Sequence, residues 1–502
     1  MKNKFLLLLM LICSFASKAF AYTSDNFYST TYAGEEIRLI GNAKDLVDFA
    51  NEVNGGKVSL SAKLTADIDF TDGTCSSDDF PMIGNENNPY CGTFDGQGHR
   101  ISNLMISRPD DDNVGFFSTI GNFAKIKNFI FDSTCNISGG RRVGLIGFIA
   151  KGLGDITISG VGNEAFVSFN ENAGGILGFS DEWQGTVNIS NCYVTSKFSD
   201  QEVTYTIISG IHQDPWVRFN ISNCWTNSTK QNLPEWGGQY GYLYNDRGRA
   251  NYSVNNLYSV EYSDKQKGVI ATTDEEIKSG ELAYKLNGSQ TQGATWFQDL
   301  KAENSYPTPF GTKVVTYISD AKYATFNDNA QAYRFDSNDN VTAYVVNESK
   351  EETVNLSPVE EIQAGVPVIL KSETAGYKNI TAVESAAALE KTNYLSVSDG
   401  NVIGNGSIYI LAKDTEGVGF FLLKNGDTLA KNKCYLDASS SGTLAKALRF
   451  TFDGGDATAI DAVTTGIEDT TTDAPIYNLQ GQRVNKYAKG LLIRNGKKYL
   501  VK

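Results

Sequence analysis

The middle of this sequence repeats itself. A tetrad of isoleucine, any residue, asparagine and an apolar residue starts at Ile101, Ile126, Ile189 and Ile221, with a valine version at Val254 and a degenerate Ile-Ser-Gly-Val at Ile158. The starts lie 25, 32, 31, 32 and 33 residues apart. A second mark, glycine followed by apolar residues, alternates with the first at Gly115, Gly144, Gly175, Gly210 and Gly241, spaced 29, 31, 35 and 31 residues. Each unit therefore holds at least two short apolar strands separated by turns, too little to bury a core alone. Stacked units bury each other, so the period predicts an all-β chain built on a right-handed parallel β-helix of five to six coils over residues 64–265.

Equivalent residues of stacked coils sit about 4.8 Å apart. Asn103, Asn128, Asn191, Asn223 and Asn256 are then expected to form a ladder at one turn, interrupted by Gly160. Asparagine suits such a place because its amide bonds turn backbone and, when stacked, the next asparagine. Cys192 and Cys224 fall in the apolar slot after the ladder and read as buried free thiols. Cys75 and Cys91 flank a turn-rich loop and are the candidate disulfide.

Residues 92–106, GTFDGQGHRISNLMI, hold His99, one of two histidines. Gly92, Gly96 and Gly98 make this a tight corner leading to Ile101, so His99 reads as a turn residue rather than a base. FDGQGHRISNL, VGFFSTI, and GGILG with ISNCYV together resemble the GLUG-type repeat of bacterial surface proteins and adhesins, over roughly residues 60–260. That resemblance implies a surface-displayed solenoid.

The flanks read differently. Residues 1–21 carry Lys2 and Lys4, an apolar core and Ala19-Phe20-Ala21, the pattern of a cleaved signal peptide. No later run is long and apolar enough to span a bilayer, so no transmembrane segment is expected. Residues 22–63 are expected to cap the solenoid, with a helix in AKDLVDFANEV from Ala43. Residues 266–311 read as a helical joint, opened by a capping box of Thr273 and Glu276 and weakened at Gly280. Over 312–460 the runs KVVTYI, VTAYVV, VPVILK, SIYILA, VGFFLL and LRFTF alternate with Asn, Gly and Asp turns, the pattern of an antiparallel β-sandwich. This layout resembles accessory β-domains of secreted Bacteroidetes-type proteins. A linker at 461–474 precedes residues 475–502, a small β module with seven basic and no acidic residues. YNLQGQRV and KGLLIRNGKK within it resemble the C-terminal sorting domain of type IX secretion substrates, which implies the secretion machinery as a partner and a secreted or outer-membrane-associated address.

Without residues 1–21 the chain carries 41 basic against 58 acidic residues, a net charge of −17. Such a surface repels nucleic acid. Paired carboxylates for glycoside chemistry would have to come from Asp78 and Asp79, from Asp110, Asp111 and Asp112, or from Asp181 and Glu182. None of these recurs in neighbouring coils, and no metal or nucleophile motif is present. No cofactor is expected; the run Asp110–Asp112 is the nearest approach to a Ca²⁺ site, with a solvated turn the favoured reading. Aromatic residues offer a binding reading instead. Trp183, Trp216, Trp225 and Trp236 fall between residues 180 and 240, and Tyr240, Tyr242 and Tyr244 alternate on one strand face. The sequence thus points to an adhesin-like surface protein whose partner is an extracellular glycan or a host surface protein, with Trp183, Trp216, Trp236, Tyr240, Tyr242 and Tyr244 as binding candidates. The runner-up is a β-helix polysaccharide lyase or glycoside hydrolase.

Overall fold

The computed structural model describes residues 29–32, 35–150, 152–171, 173–180, 183–199, 205–206, 209–212, 217–228, 251–260, 267–288, 293–350, 352–439 and 445–453, together with short strands between 464 and 501. The repeats form a parallel β-solenoid of about five turns. Its longest sheet stacks Thr93–Ser102, Lys125–Phe131, Ile156–Asn163, Trp183–Ser190, Val217–Thr226 and Asn251–Ser259 in parallel. A second face runs through Phe117–Ile120, Ile146–Ile149, Leu177–Ser180 and Ser209–His212, and a third through Met105–Asp112, Asn136–Arg141 and Phe166–Ser168. Inside, isoleucines, valines and phenylalanines of every coil make one apolar column from Ile40 to Val269. Each such side chain contributes roughly 1.5–3 kcal/mol by leaving water, which short units obtain only by stacking.

The register corrects the repeat alignment twice. Ile126 pairs with Phe94, not Ile101, and the chain continues in step through Ile158, Ile189, Ile221 and Val254. The true steps are 32, 32, 31, 32 and 33 residues, and the odd interval of 25 disappears. A bulge between Asp95 and His99 hides the register: Gly96, Gln97 and Gly98 stand opposite the single Asn128, with Gln97 and Gly98 at left-handed φ of 54° and 88°. Asn103 consequently lies outside the ladder. Its amide bonds Asp69 Oδ1 at 2.8 Å, at a different corner. On the second face Gly210 lies opposite Gly178, since Leu177 pairs with Ser209 and Phe179 with Ile211. Gly210 therefore continues the row of Gly147 and Gly178 and not that of Gly115, Gly144 and Gly175, which is why the interval from Gly175 is 35.

The remaining ladder is a row of identical backbone. Asn128, Gly160, Asn191, Asn223 and Asn256 have φ of 63°, 61°, 52°, 54° and 53°. Left-handed backbone costs most residues about 1–2 kcal/mol, and asparagine and glycine tolerate it best. A second left-handed corner passes through Asn113 and Arg142, with no shared residue type to announce it.

At the N-terminal end, helix α1 (Ala43–Asn54) is capped by Asn42 and turns Leu46, Phe49, Ala50 and Val53 into the column. At the other end α2 (Asp274–Ser279) and α3 (Glu281–Leu286) meet at Gly280, whose φ of 91° breaks one helix into two. Residues beyond them form sheets of four and nine strands, antiparallel except where Thr353–Val359 pairs parallel with Ala447–Phe452, and including all six runs read from the sequence. Strands Gly490–Arg494 and Lys497–Val501 pair antiparallel in a last small sheet. Among the described residues no helix is long and apolar enough to cross a membrane.

Candidate functional site

The longest sheet changes character at the left-handed corner. Beyond it, Tyr193, Trp225 and Tyr258 lie in register on the outer surface, and Tyr193 stacks on Trp225 with centroids 5.4 Å apart and planes 6° from parallel. They are buried under the joint, with Ile277, Leu282, Leu286 and Trp296 packed over them. Trp225, considered above for an exposed face, is thus part of a core; its indole N–H donates to the Pro307 carbonyl at 3.1 Å. The ladder is tied to the same joint. In the amide orientation that satisfies all partners, Asn223 Oδ1 accepts from Trp296 Nε1 at 2.9 Å and its nitrogen donates to the Leu286 carbonyl at 2.9 Å. The Asn191 amide lies 2.7 Å away.

Under the joint lies a cluster of ionisable groups. Glu164, with a side chain only 5% exposed, accepts from Arg100 at 2.8 Å, from Tyr306 at 2.8 Å and from Tyr193. Arg100 also reaches Asp132 at 3.6 Å. Burial pushes both phenols up, and the Glu164 charge adds to it. For Arg100 burial acts downward, but Glu164 reverses it and the guanidinium stays charged. Every oxygen of Glu164 is engaged, so the cluster has no base to offer a substrate. It joins coil to joint.

Before the corner the outer surface is uncovered and polar. One row runs Lys125, Thr157, Asn188, Asn220 and Ser253, and a parallel row Lys127, Ser159, Ser190, Ser222 and Asn255. All ten side chains are exposed or half-exposed. Asn220 donates to Asn188 Oδ1 at 2.9 Å, so part of the surface is pre-ordered. At the edge of this face stands Phe123, 62% exposed and at φ 61°. Its ring lies against Gly154, where a Cβ would come within 2.5 Å of it. A bulky residue with left-handed backbone is an outlier, and an exposed one gains little burial in return. The sequence reading missed Phe123; the signal was an aromatic directly after Gly121-Asn122, where a turn favours a small residue.

Of the residues singled out from the sequence, Trp183 begins a strand, pairing with Gly152, but its side chain lies outside the described residues. Trp216, Trp236, Tyr240, Tyr242 and Tyr244 lie outside them altogether, as do Asp181 and Glu182. Asp110, Asp111 and Asp112 end a strand instead of forming a turn, and Asp112 is held by Arg141 and, at 3.0 Å, by Arg142. Two guanidinium groups on that carboxylate leave it unsuited to Ca²⁺. Cys75 and Cys91 are free thiols; Cys91 Sγ donates to the Pro89 carbonyl at 3.2 Å. The expected bridge between them is not formed, and Cys91 Sγ lies against Gly121. His99 follows the bulge, its Nδ1 3.0 Å from Asp67 Oδ1.

No family model matches the chain. A stretch of 128 residues is 32% identical to halomucin of Haloquadratum walsbyi, covering 24% of this chain and 1% of halomucin. The chain therefore spans about one hundredth of that protein's length. Among solved structures, a Bacteroides ovatus chain named "putative immunoglobulin A1 protease" is similar with a TM-score of 0.39 and 20% identity, over 54% of this chain and 92% of that one.

Proposed function

We propose that this protein is a secreted or surface-displayed, adhesin-like binding protein that holds an extracellular glycan against the uncovered polar face of its solenoid. The observation that carries the reading is Phe123, an exposed aromatic kept in strained backbone beside rows of hydroxyls and amides. Strain without a burial gain is a mark of functional positions. Sugar rings present C–H faces to aromatic rings and hydroxyls to amides, and this surface supplies both. The acidic balance of the chain favours neutral saccharides. The GLUG-like repeats, the signal-like start and the sorting-like tail support an address outside the cell.

A glycan array probed with the purified protein tests the reading, followed by chromatography of any bound glycan. Retention of neutral glycans that are recovered intact supports it. Shortened or unsaturated products would favour the lyase or hydrolase reading, and an empty array would remove the glycan. The address is tested separately: deleting residues 475–502 should leave the folded protein inside the outer membrane.

A further inference from the structure

We propose a second saccharide-binding site, remote from the solenoid face, on three tyrosines where the joint meets the first antiparallel sheet. Tyr284 of α3, Tyr317 of the edge strand Lys313–Ile318 and Tyr377 of its partner strand Gly376–Val383 converge at the surface. Tyr317 and Tyr377 are directly paired across the strands. Their centroids are 5.1 Å apart, and those of Tyr284 lie 6.3 Å from Tyr317 and 5.8 Å from Tyr377. The planes are mutually tilted by 49–54°. Tyr317 remains 40% exposed although a hydrophobic ring on an edge strand gains nothing from water.

The spacing selects the ligand. Rings already in mutual contact leave no gap between them in which a cation could be enclosed, so what they offer a ligand is exposed ring surface. The three rings touch with their planes tilted, so a flat apolar face rests on one ring, the exposed Tyr317, with Tyr284 and Tyr377 beside it. At the rim of the three rings Glu281 bonds the Tyr377 hydroxyl and pairs with Lys285 at 2.8 Å, so a carboxylate and an ammonium stand ready for hydroxyls. Burial and the Glu281 charge push the Tyr377 phenol up to about 12; its one proton goes to Glu281, which leaves the phenol oxygen to accept from a sugar hydroxyl. A ring with one C–H face and hydroxyls around its edge matches this arrangement. With Glu281 at the rim and a formal net charge of −14 over the chain, the ligand is a neutral hexose unit, not a uronic acid.

The site is of the same ligand class as the solenoid face but does not depend on it. The test is affinity gel electrophoresis of the full protein in soluble neutral polysaccharides, a β-1,4-glucan derivative and a galactomannan, with polygalacturonate as the acidic control. Wild type, Tyr317→Ala, Phe123→Ala and the double variant are compared, each checked for an unchanged melting curve. Tyr317 is the ring to remove because its exposure lets the fold tolerate the loss. We expect Tyr317→Ala to weaken retardation in a neutral gel roughly tenfold, the equivalent of about 1.4 kcal/mol, whether or not Phe123 is present. Tyr317→Trp should keep or strengthen it. Retardation unchanged by Tyr317→Ala in every gel, retardation only in polygalacturonate, or none for wild type would each overturn the proposal. Loss confined to Phe123→Ala would do so while leaving the solenoid reading in place.

Discussion

Gly160 repeats the backbone of Asn128 one coil below it, φ 61° against 63°, and a Cβ on Gly160 would stand 2.8 Å from Asn128 Oδ1. What reads in the sequence as a gap in the asparagine ladder is therefore the same turn without a side chain. The corner is fixed by conformation, and asparagine is its usual occupant because it tolerates that conformation and bonds its neighbours.

Substitutions at Gly160 should follow that order. Gly160→Ala should lose about 1 kcal/mol from left-handed strain. Gly160→Asn should lose less, because its amide can bond that of Asn128, whose flexible end can yield. Gly160→Val should be worst, adding β-branching to the strain. Urea midpoints would check the ranking, and equal values for Ala and Asn would contradict it.

The period was legible because burial in a solenoid forces apolar residues to recur, and that recurrence survives in Phe94, Ile126, Ile158, Ile189, Ile221 and Val254. The register was less legible. Ile101-Ser-Asn103 copies the ladder motif because Asn103 also turns a left-handed corner, φ 57°, though a different one, while the true first rung, Phe94-Asp95, is disguised by a bulge. The two strand faces after the corner could not be told apart either: outward aromatics suggest binding until the joint that covers Tyr193 and Trp225 is known. The candidate site was not legible at all. Exposed Ser, Thr and Asn are ordinary on any strand, and only the stacking makes rows of them.

The Glu164 cluster should hold the joint to the solenoid. Tyr306→Phe deletes one of three hydrogen bonds to a buried carboxylate and should cost about 1.5–3 kcal/mol. Glu164→Leu leaves Arg100 without its nearest partner and should cost more, about 3–5 kcal/mol. Hydrogen exchange should show the loss first in α2 and α3. Exchange that accelerates evenly over the whole chain would show that the cluster does not act at this junction.

Asp339 should make the junction between joint and sandwich acid-sensitive. Its buried carboxylate meets Lys301 and Lys313, each at 2.7 Å. Burial pushes the carboxyl up, and the two lysines outweigh it, so its folded value lies below the ordinary one. A depressed folded value means that the contribution is complete above the unfolded range, about pH 4, and drains away as pH falls through the folded value. Asp339→Asn should lower the melting temperature at pH 7 and remove part of the decline below pH 4. A variant that melts in parallel with wild type down to the acid limit would refute this.

The thiols should divide by burial. Cys135 and Cys434 are pushed up to about 12 and Cys192 well above its usual value, while Cys75 and Cys91 are only half-buried. Alkylation of the folded protein should mark Cys75 and Cys91 alone, and denaturation should release the other four described cysteines. A mass lower by two hydrogens, with Cys75 and Cys91 refractory until reduction, would show a bridge instead.

The central claim is that Phe123 is strained for binding and not for folding, and Phe123→Gly tests it most directly. Glycine carries left-handed backbone without the penalty of about 1–2 kcal/mol that a side chain brings. Melting and glycan-array retention are measured on the same preparations of the protein with and without Phe123→Gly, both carrying Tyr317→Ala so that the tyrosine site supplies no retention of its own. The account predicts a melting temperature that is unchanged or higher together with a loss of neutral-glycan retention. A variant that melts lower and still retains the same glycans would contradict it, and would make Phe123 a packing residue against Gly154.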